Sequence, residues 1–589
     1  MKTPGGVCRV VTVLVAGAAL AACTPPPLPL VPSSQAPSSV APSPMREVVV
    51  GVDHLAGGFN PHTLADLTPV SIAIAGLLLP SAFHQTPDGQ WVIDHTLLTS
   101  AEVTSTQPFT VTYQIRRDAQ WSDTAPIAAE DFGYLAEQMR TQPGVVDSAG
   151  YQLIDNVASR DGGKTVDVVF RRPYPAWRTL FRQLLPAHLL KDAPGGWGRG
   201  LDNGLGVSGG PFTLTSLDPT RGELVLARND RYWDIPAAVD RIVLHEGSDA
   251  TLVDDLRTGS AQAALFGRPD AITELLLHDA DLPVTSTVVP QPILASVLLR
   301  PASAVLGDQR VRTAVAAALD RPSLIASGVA SGPSAALQAD SQVLAPSQPG
   351  YRPTAPAAGP PVAPDPGAVH RLLTEAGYTL GPAGWERAGK PLRLVVVAPQ
   401  DREPYGVLAT RVADQLRAAG IQVELRMIDP DTLFDTVLGS HGTAQRVASL
   451  QGTLDPVTTG ADIAVVPQPA TGDPGTQLAS WYGCPLVVPA KLAAAPPNPA
   501  GLCDLSLQPQ IEQAMTADDP DGTVASGIET ALWSRVVTIP LYQQAGLLVT
   551  TSQLYGVTPG SPLEGPFDGA QRWQLSRAGA AVPTSEPGR

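Results

Sequence analysis

The chain has 589 residues, of which 60 are Pro, 54 are Gly and 43% are hydrophobic, and its formal net charge at pH 7 is −16. The composition is globular, and the length suggests roughly four units of ~150 residues. The negative charge argues against nucleic acid or an anionic membrane surface as an electrostatic partner.

The first 22 residues are typical of an export signal. Lys2 and Arg9 are followed by an apolar run from Val10 to Leu20, which is long enough for a signal peptide and too short to span a bilayer. The residues 20–23, Leu-Ala-Ala-Cys, look like a bacterial lipobox, in which Cys23 is diacylated and becomes the mature N-terminus. The alternative is an ordinary signal peptide with a chance Cys. The sequence thus predicts a signal peptide over 1–22 and a lipid anchor at Cys23 on the outer face of the plasma membrane.

The residues after the anchor predict a tether. Residues 24–45 hold eight Pro and five Ser, a composition that favours an extended segment without a packed core. At the other end of the chain, residues 578–589 predict a polar tail. The tether therefore covers residues 23–45, and the folded protein begins near Arg46.

Two cysteines remain in the exported protein once Cys8 has left with the signal and Cys23 carries lipid. Cys484 and Cys503 enclose a Pro-rich loop and lie in a compartment that permits disulfides. The sequence predicts a disulfide between them, with two free thiols or a metal pair as the alternatives.

The first half of the chain alternates strand and helix signals. Period-two patterns predict strands over 46–52, 110–116 and 166–170, and an apolar run over 70–80 is a helix or a strand. Pro126 and the acids Glu130 and Asp131 mark the start of a helix that runs to Met139, where capping is the expected role of the acids rather than general acid–base chemistry. Residues 208–233 predict a hairpin.

The second half predicts another α/β unit. Strands are expected over 239–244, 291–299, 390–398, 421–427, 461–467 and 537–542, and helices over 252–264, 308–321, 368–377 and 407–420. The Pro/Gly/Ala-rich residues 345–366 predict a long surface loop. Helix and strand units that alternate in this way favour a second α/β lobe.

Four stretches, in chain order, carry a resemblance to a known family. They read WSD followed by PIAAED over 121–131, GGPF with RNDRYW over 209–233, DQRVR with DR over 308–321, and VTIPLY over 537–542. This order resembles the bacterial extracellular solute-binding proteins of the oligopeptide importer family, although Thr124 and Gln262 stand where that family usually has Gly and an acid.

The resemblance implies a type II periplasmic-binding-protein fold, an α/β class with two lobes joined by a two-crossing hinge. Lobe one would comprise residues 46–80, 206–290 and 537–577, with a smaller appended lobe over 81–205, and lobe two would comprise residues 291–536. Ligand would bind in the cleft between the lobes of a monomer.

The chain departs from the peptide importers after the strand predicted at 461–467. These usually carry a D-Y-x-D-P run there, whereas residues 470–474 read ATGDP, so that only Asp473 and Pro474 match. Longer matches, such as GVDHLAGGFNPH at 51–62, resemble a group of mycobacterial lipoproteins within the family. That resemblance implies a protein that binds a mannosylated phosphatidylinositol intermediate, or a membrane mannosyltransferase, and regulates phosphatidylinositol mannoside and lipoarabinomannan biosynthesis. The alternative is the substrate-binding component of an ABC importer for peptides or another solute.

No cofactor and no catalytic activity are predicted, because the nine His are scattered and no H-E-x-x-H or C-x-x-C pattern occurs. Candidate cleft residues are aromatic side chains that could stack on sugar rings and amides that could bond hydroxyl groups: Phe59, Asn60, Gln468, Trp481, Tyr482, Tyr542 and Gln543. Packing in the core or in loops is the alternative role of most of them.

Overall fold

The structure is a computed structural model that describes residues 45–55, 57–439, 460–471, 473–485, 496–519 and 523–576. The predicted signal peptide, Cys23, almost all of the tether and the polar tail lie outside these residues. The strands are Glu47–Val52 (β1), Phe83–Gln85 (β2), Trp91–Ile93 (β3), Leu98–Thr106 (β4), Phe109–Ile115 (β5), Ile154–Arg160 (β6), Thr165–Phe170 (β7), Phe212–Asp218 (β8), Glu223–Arg228 (β9), Arg241–Glu246 (β10), Ala263–Phe266 (β11), Val284–Leu299 (β12), Thr379–Gly381 (β13), Gly384–Arg387 (β14), Lys390–Pro391 (β15), Arg393–Pro399 (β16), Gln422–Ile428 (β17), Ile463–Pro469 (β18), Thr538–Thr551 (β19), Leu554–Tyr555 (β20) and Gln574–Leu575 (β21).

The α-helices are Pro69–Leu78 (α1), Ala129–Thr141 (α2), Ala149–Gln152 (α3), Ala187–Leu190 (α4), Gly196–Arg199 (α5), Asp249–Thr258 (α6), Ala271–Asp279 (α7), Gln309–Ala317 (α8), Arg321–Val329 (α9), Pro366–Glu375 (α10), Tyr405–Ala418 (α11), Pro474–Tyr482 (α12), Gln508–Thr516 (α13) and Thr523–Arg535 (α14). Short 3₁₀ turns and one π-helical segment, Thr432–Leu438, complete the described helical structure.

A mixed sheet of ten described strands is the scaffold of the protein. Its order is β17-β16-β18-β12-β19-β11-β1-β10-β9-β8, so the strands of the first half of the chain lie on one side and those of the second half on the other. The strands β12 and β19 lie between the two sides. This is the type II fold that the motifs predicted.

The strands β12 and β19 each serve both sides of the sheet. They pair antiparallel with each other along most of their length, with an irregularity between Pro290 and Leu294. Beyond that irregularity β12 pairs with β18, whereas the second half of β19 pairs with β11. These strands are therefore the two chain crossings. The described residues from Arg46 onward belong to one compact unit. Because this unit is not divided further, the lobe boundaries given above stay predictions.

A four-stranded antiparallel sheet, in the order β4-β5-β7-β6, lies within the segment predicted to form the appended lobe. The helix α2 begins as the sequence indicated. The carboxylate of Asp131 accepts hydrogen bonds from the backbone N–H of Ala128 and of Ala187, both at 2.9 Å. Glu130 forms an ion pair with Lys191. The two acids thus cap and anchor the helix, as predicted.

Two predicted helices are shorter than the sequence suggested. The segment 252–264 was expected to be one helix, but Gly259 adopts a φ of 79° and ends α6, and the residues that follow form β11. The segment 308–321 was also expected to be one helix. There Asp320 accepts a hydrogen bond from Ser323 N and caps a second helix, α9. Local capping groups therefore divide elements that the apolar pattern joins.

Candidate functional site

A polar cavity of about 70 Å³ lies where three parts of the chain meet. This volume holds roughly two water molecules. The loop after β1, the segment from α2 to residue 183, and the residues that precede and begin α12 line it: Pro61, His62, Trp91, Met139, Val146, Asp147, Tyr151, Thr179, Leu180, Arg182, Gln183, Thr471, Asp473 and Thr476. The cavity thus brings together the predicted lobe one, the appended lobe and lobe two.

Asp147 faces this cavity from the appended lobe. Its backbone has a φ of 52°, a left-handed conformation that Asp tolerates better than most residues. One carboxylate oxygen accepts a hydrogen bond from the hydroxyl of Thr471, whereas Oδ1 is buried and has no hydrogen-bond partner among the described residues. Burial, with a smaller effect from the carboxylate of Asp473, raises the pKa of Asp147 to about 7.

Asp473 holds the other carboxylate of the cavity at the start of α12. It is the N-cap of that helix and accepts a hydrogen bond from the backbone N–H of Thr476 at 2.7 Å. The hydroxyl of Thr476 contacts the same carboxylate and lies 2.7 Å from the hydroxyl of Tyr174. Burial raises the pKa of Asp473.

Arg182 supplies the cation of the cavity. Its guanidinium donates a hydrogen bond to the carbonyl oxygen of Leu563 at 2.8 Å and lies 3.6 Å from the carboxylate of Glu564. It also lies over the ring of Trp91, 5.7 Å from the ring centroid. Its Nε is buried and has no partner within the described part of the chain. One guanidinium therefore lines the same space as two carboxylates.

His62 adds a neutral side chain. Its Nε2 lies 2.9 Å from the carbonyl oxygen of Gln183, to which it donates, and its ring stacks on Trp197 at 5.8 Å. Burial lowers the pKa of His62 to about 4, so the imidazole is uncharged at neutral pH. The cavity thus offers two carboxyl groups, a guanidinium, hydroxyl groups and a neutral imidazole, which suits a ligand that both donates and accepts hydrogen bonds.

A second group of carboxylates lies outside this cavity. Asp66 and Asp202 are close enough to Asp431, Asp435 or their neighbour Asp429 for the charges to repel one another. Burial is the main cause and mutual repulsion a further cause of their raised pKa values, which are about 6 for Asp66 and for Asp435. Arg402 lies among them and donates to the carbonyl oxygen of Ala65. The loop after β1 and the segment after β17 therefore share a group of acidic side chains.

None of the seven residues predicted to line the cleft lines this cavity. All seven are buried, and Phe59, Trp481, Tyr482 and Tyr542 belong to hydrophobic cores. The amide groups of the others bond within the protein: Asn60 to Trp197 O, Gln468 to Gln342 O and Gln543 to Gln291 O. Their contact with a ligand stays a prediction, and in this conformation they are packing residues.

Two of the predicted cleft residues are close in sequence to residues that line the cavity. Asn60 directly precedes Pro61 and His62, and Gln468 lies three positions before Thr471. Asp147 and Arg182 had no motif to mark them, because each reaches the cavity through an irregular segment. Asp473 could have been found from the sequence, because it is the acid of the D-Y-x-D-P run that this chain retains.

The disulfide between Cys484 and Cys503 is present, as predicted. It joins the C-terminal end of α12 to the segment before α13. Most of the loop that it closes lies outside the described residues. The bridge restrains the helix whose first residues line the cavity.

A serine in a hydrolase-like pattern is structural. Residues 206–210 read GVSGG and so fit G-x-S-x-G. Ser208 is 1% exposed, and its hydroxyl bonds to the carbonyl oxygens of Leu78 at 2.8 Å and Phe212 at 2.5 Å. It therefore fixes the turn before β8 and is closed to substrate in this structure.

No group of three or more potential metal ligands is found within the described residues. In the same residues, no helix has the length and apolar character needed to cross a bilayer.

Comparison with known proteins decides the family. Residues 94–477 match the model of the middle region of bacterial extracellular solute-binding proteins, family 5. The chain belongs to this family. It is 38% identical to the "Probable monoacyl phosphatidylinositol tetramannoside-binding protein LpqW" of Mycobacterium tuberculosis over 94% of the chain and 96% of that protein. It is 26% identical to the oligopeptide-binding protein OppA of Mycobacterium bovis over 82% of the chain and 77% of that protein.

Solved structures agree on the fold. The oligopeptide-binding protein AppA of Bacillus subtilis, in complex with a nonapeptide, superposes with a TM-score of 0.70 over 91% of the chain and all of AppA, at 14% identity. The periplasmic EDTA-binding protein EppA gives a TM-score of 0.67 over 91% of the chain and 97% of EppA, at 22% identity. The chain is thus a solute-binding protein of the family 5 fold that is similar to LpqW.

Proposed function

We propose that this protein is a non-catalytic, lipid-anchored binding protein of the cell envelope whose ligand is the headgroup of a mannosylated phosphatidylinositol. Its role is to regulate phosphatidylinositol mannoside and lipoarabinomannan biosynthesis, either through the bound lipid or through contact with a membrane mannosyltransferase. The observation that carries the proposal is the polar cavity around Asp147, in a chain that is 38% identical to LpqW.

The position that distinguishes peptide binders argues against an importer of peptides. A peptide binder should present an acid for the amine of the peptide and retain the D-Y-x-D-P run, and Ala470 stands where the first acid of that run would lie. Ala470 is 2% exposed and cannot accept a hydrogen bond through its side chain. A peptide ligand would therefore lack this charged partner.

The ligand can be tested on the full-length lipoprotein, purified in mild detergent from its native envelope. Native mass spectrometry should show adducts with the mass of mannosylated phosphatidylinositol. Bound peptides of mixed mass would overturn the proposal in favour of an importer. A deletion strain should also have an altered mannolipid profile, and an unchanged profile would contradict the regulatory role.

The anchor has its own test. A Cys23→Ser variant should move from the detergent-rich phase to the aqueous phase on detergent partitioning, because the lipobox Cys carries the acyl chains. A Cys8→Ser variant is the matched control and should stay with the detergent. Equal partitioning of the two variants, together with the absence of an acyl mass on Cys23 of the wild type, would show that Cys23 is not acylated.

A further inference from the structure

A groove of about 510 Å³ lies between α11 and β17 and shares no lining residue with the polar cavity. The loop between β16 and α11 lines part of it, and Met427 of β17 forms one wall. The other wall is a stripe of α11 whose members are spaced i, i+3, i+4 and i+7 and so share one helix face: Val407, Thr410, Arg411 and Asp414. Most of the lining side chains are exposed, so the groove is an open trough.

The groove lies beside a free edge of the ten-stranded sheet. Among the described strands, β17 is the last of the sheet and pairs only with β16. The backbone N–H of Gln422 and the carbonyl oxygen of Ile428 bond toward β16. Because the bonding direction alternates along a strand, the backbone groups of Val423, Leu425 and Met427 point outward.

Only one end of this edge is bonded. Arg417 donates to the carbonyl oxygen of Val423 at 3.2 Å, whereas the outward backbone groups of Leu425 and Met427 have no partner among the described residues. Unpaired strand edges are templates for a further strand. The unbonded part of the edge therefore coincides with the groove.

Two charges of the groove are free. Arg411 has no hydrogen bond or ion pair within the described part of the chain, and Asp401 is hydrogen-bonded there only to the side chain of its neighbour Gln400. Glu403 and Asp414, in contrast, each lie in an ion pair. A ligand with one basic and one acidic group would pair both free charges.

The spacing of these residues suits an extended chain. Asp401 precedes α11, Val407 lies in its first turn, and Arg411 lies about 6 Å further along the helix axis. Side chains on one face of a strand repeat at about 6.6 Å, which is nearly the same interval. Val407 and Met427 are each 39% exposed and offer an apolar contact between the two charges.

From these observations we propose that the groove is a docking site for an extended segment of a partner polypeptide. The segment adds as a strand to the edge at Leu425 and Met427. It places a basic, an apolar and an acidic side chain, at alternate positions, against Asp401, Val407 and Arg411. This docking site is independent of the ligand in the proposed function.

The probe is a capped heptapeptide of threonine with lysine, valine and glutamate at its second, fourth and sixth positions. Saturation-transfer NMR titration against the full-length protein in detergent micelles should show saturable binding. Arg411→Glu should weaken this binding about fivefold or more, because an attraction becomes a repulsion. A second peptide, with lysine in place of the glutamate, should bind Arg411→Glu better than it binds the wild type.

Arg371→Glu is the matched control, because Arg371 is exposed on α10 and its replacement should leave binding of the first peptide unchanged. The absence of saturable binding, or equal binding of the two peptides by the wild type, would overturn the docking site. So would an equal loss of binding of both peptides in Arg411→Glu, which would indicate a misfolded variant or another site.

Hydrogen–deuterium exchange measured by mass spectrometry tests the strand pairing itself. The first peptide should protect the amides of Leu425 and Met427, and peptide binding without this protection would contradict strand addition. Protection without peptide would also overturn the proposal. If that protection rose with protein concentration, a second copy of the chain would be the occupant, and if it did not, the chain would cover its own edge.

Discussion

Thr471 donates a hydrogen bond from its hydroxyl to the carboxylate of Asp147, a residue 324 positions earlier in the chain. The bond joins the residues just after β18 to the loop after α2, so it links two parts of the chain that are far apart in the sequence. The hydrogen bond between the hydroxyls of Tyr174 and Thr476 is a second contact between the same two parts of the chain. Residues that line the cavity therefore also join distant parts of the chain.

Replacing Thr471 by Val should weaken this link. The substitution keeps the shape of the side chain but leaves the Asp147 carboxylate without its donor, at an expected cost of about 1–3 kcal/mol in the free energy of unfolding. Denaturant titration followed by circular dichroism measures it. Thr410→Val is the control, because Thr410 is exposed on α11 and bonds only to its own helix. Equal losses in the two variants would contradict a special role for the Thr471 contact.

The stability contributed by Asp147 should depend on pH. Its folded pKa of about 7 lies above its ordinary value of 3.8, so its contribution is fully present below pH 3.8 and is lost as the pH rises through 7. Compared with the wild type, the Asp147→Asn variant, which cannot ionise, should therefore gain relative stability between pH 5 and pH 8. Thermal midpoints of both proteins across this range measure the difference.

Other titrating groups in that window, such as His62, cancel in this comparison because both proteins contain them. Asp254→Asn, at an exposed position on α6 where Asp254 pairs with Arg257, controls for the effect of an Asp→Asn substitution as such. A flat difference for Asp147→Asn would mean that Asp147 is ionised throughout.

Removal of the disulfide should destabilise the protein by about 3 kcal/mol, since the bridge closes a loop with a sequence separation of 19. The Cys484→Ser, Cys503→Ser double variant is compared with the wild type by denaturant titration, with and without reductant. The reductant should lower the wild type to the level of the variant and leave the variant unchanged. A wild type that does not respond to reductant under denaturing conditions would argue against the bridge.

A methyl group at Gly210 should disrupt the turn before β8. A Cβ there would lie 2.2 Å from the carbonyl oxygen of Leu77 in α1, and a backbone atom of a buried helix cannot move aside cheaply. Gly210→Ala should therefore cost about 1–3 kcal/mol or more. Gly206→Ala is the control, because a Cβ at Gly206 meets no atom within 4 Å. Thermal midpoints that differ little between the two variants would show that the turn can shift.

Much of the fold could be predicted because its signals are local. The alternation of residues over 46–52 predicts β1, and the run DQRVR predicts the start of α8, where Asp308 caps the helix. A strand that buries one face and a helix whose end is capped both depend on residues that are close together in the chain. The sequence therefore predicts such elements. The disulfide between Cys484 and Cys503 could also be predicted, because these two cysteines remain once Cys8 is assigned to the signal peptide and Cys23 to the lipid anchor.

The residues that line the cavity could be identified only from the tertiary structure. The sequence suggested aromatic and amide side chains such as Trp481 and Gln468, and these types are just as suitable for a core, where the structure places them. Asp147, Arg182 and Thr471 have no shared pattern, because each lies on an irregular segment and they meet only in the folded chain. Local patterns determine the strands and helices of this protein, whereas its cavity depends on desolvation and on contacts between distant residues, which no stretch of the sequence contains by itself.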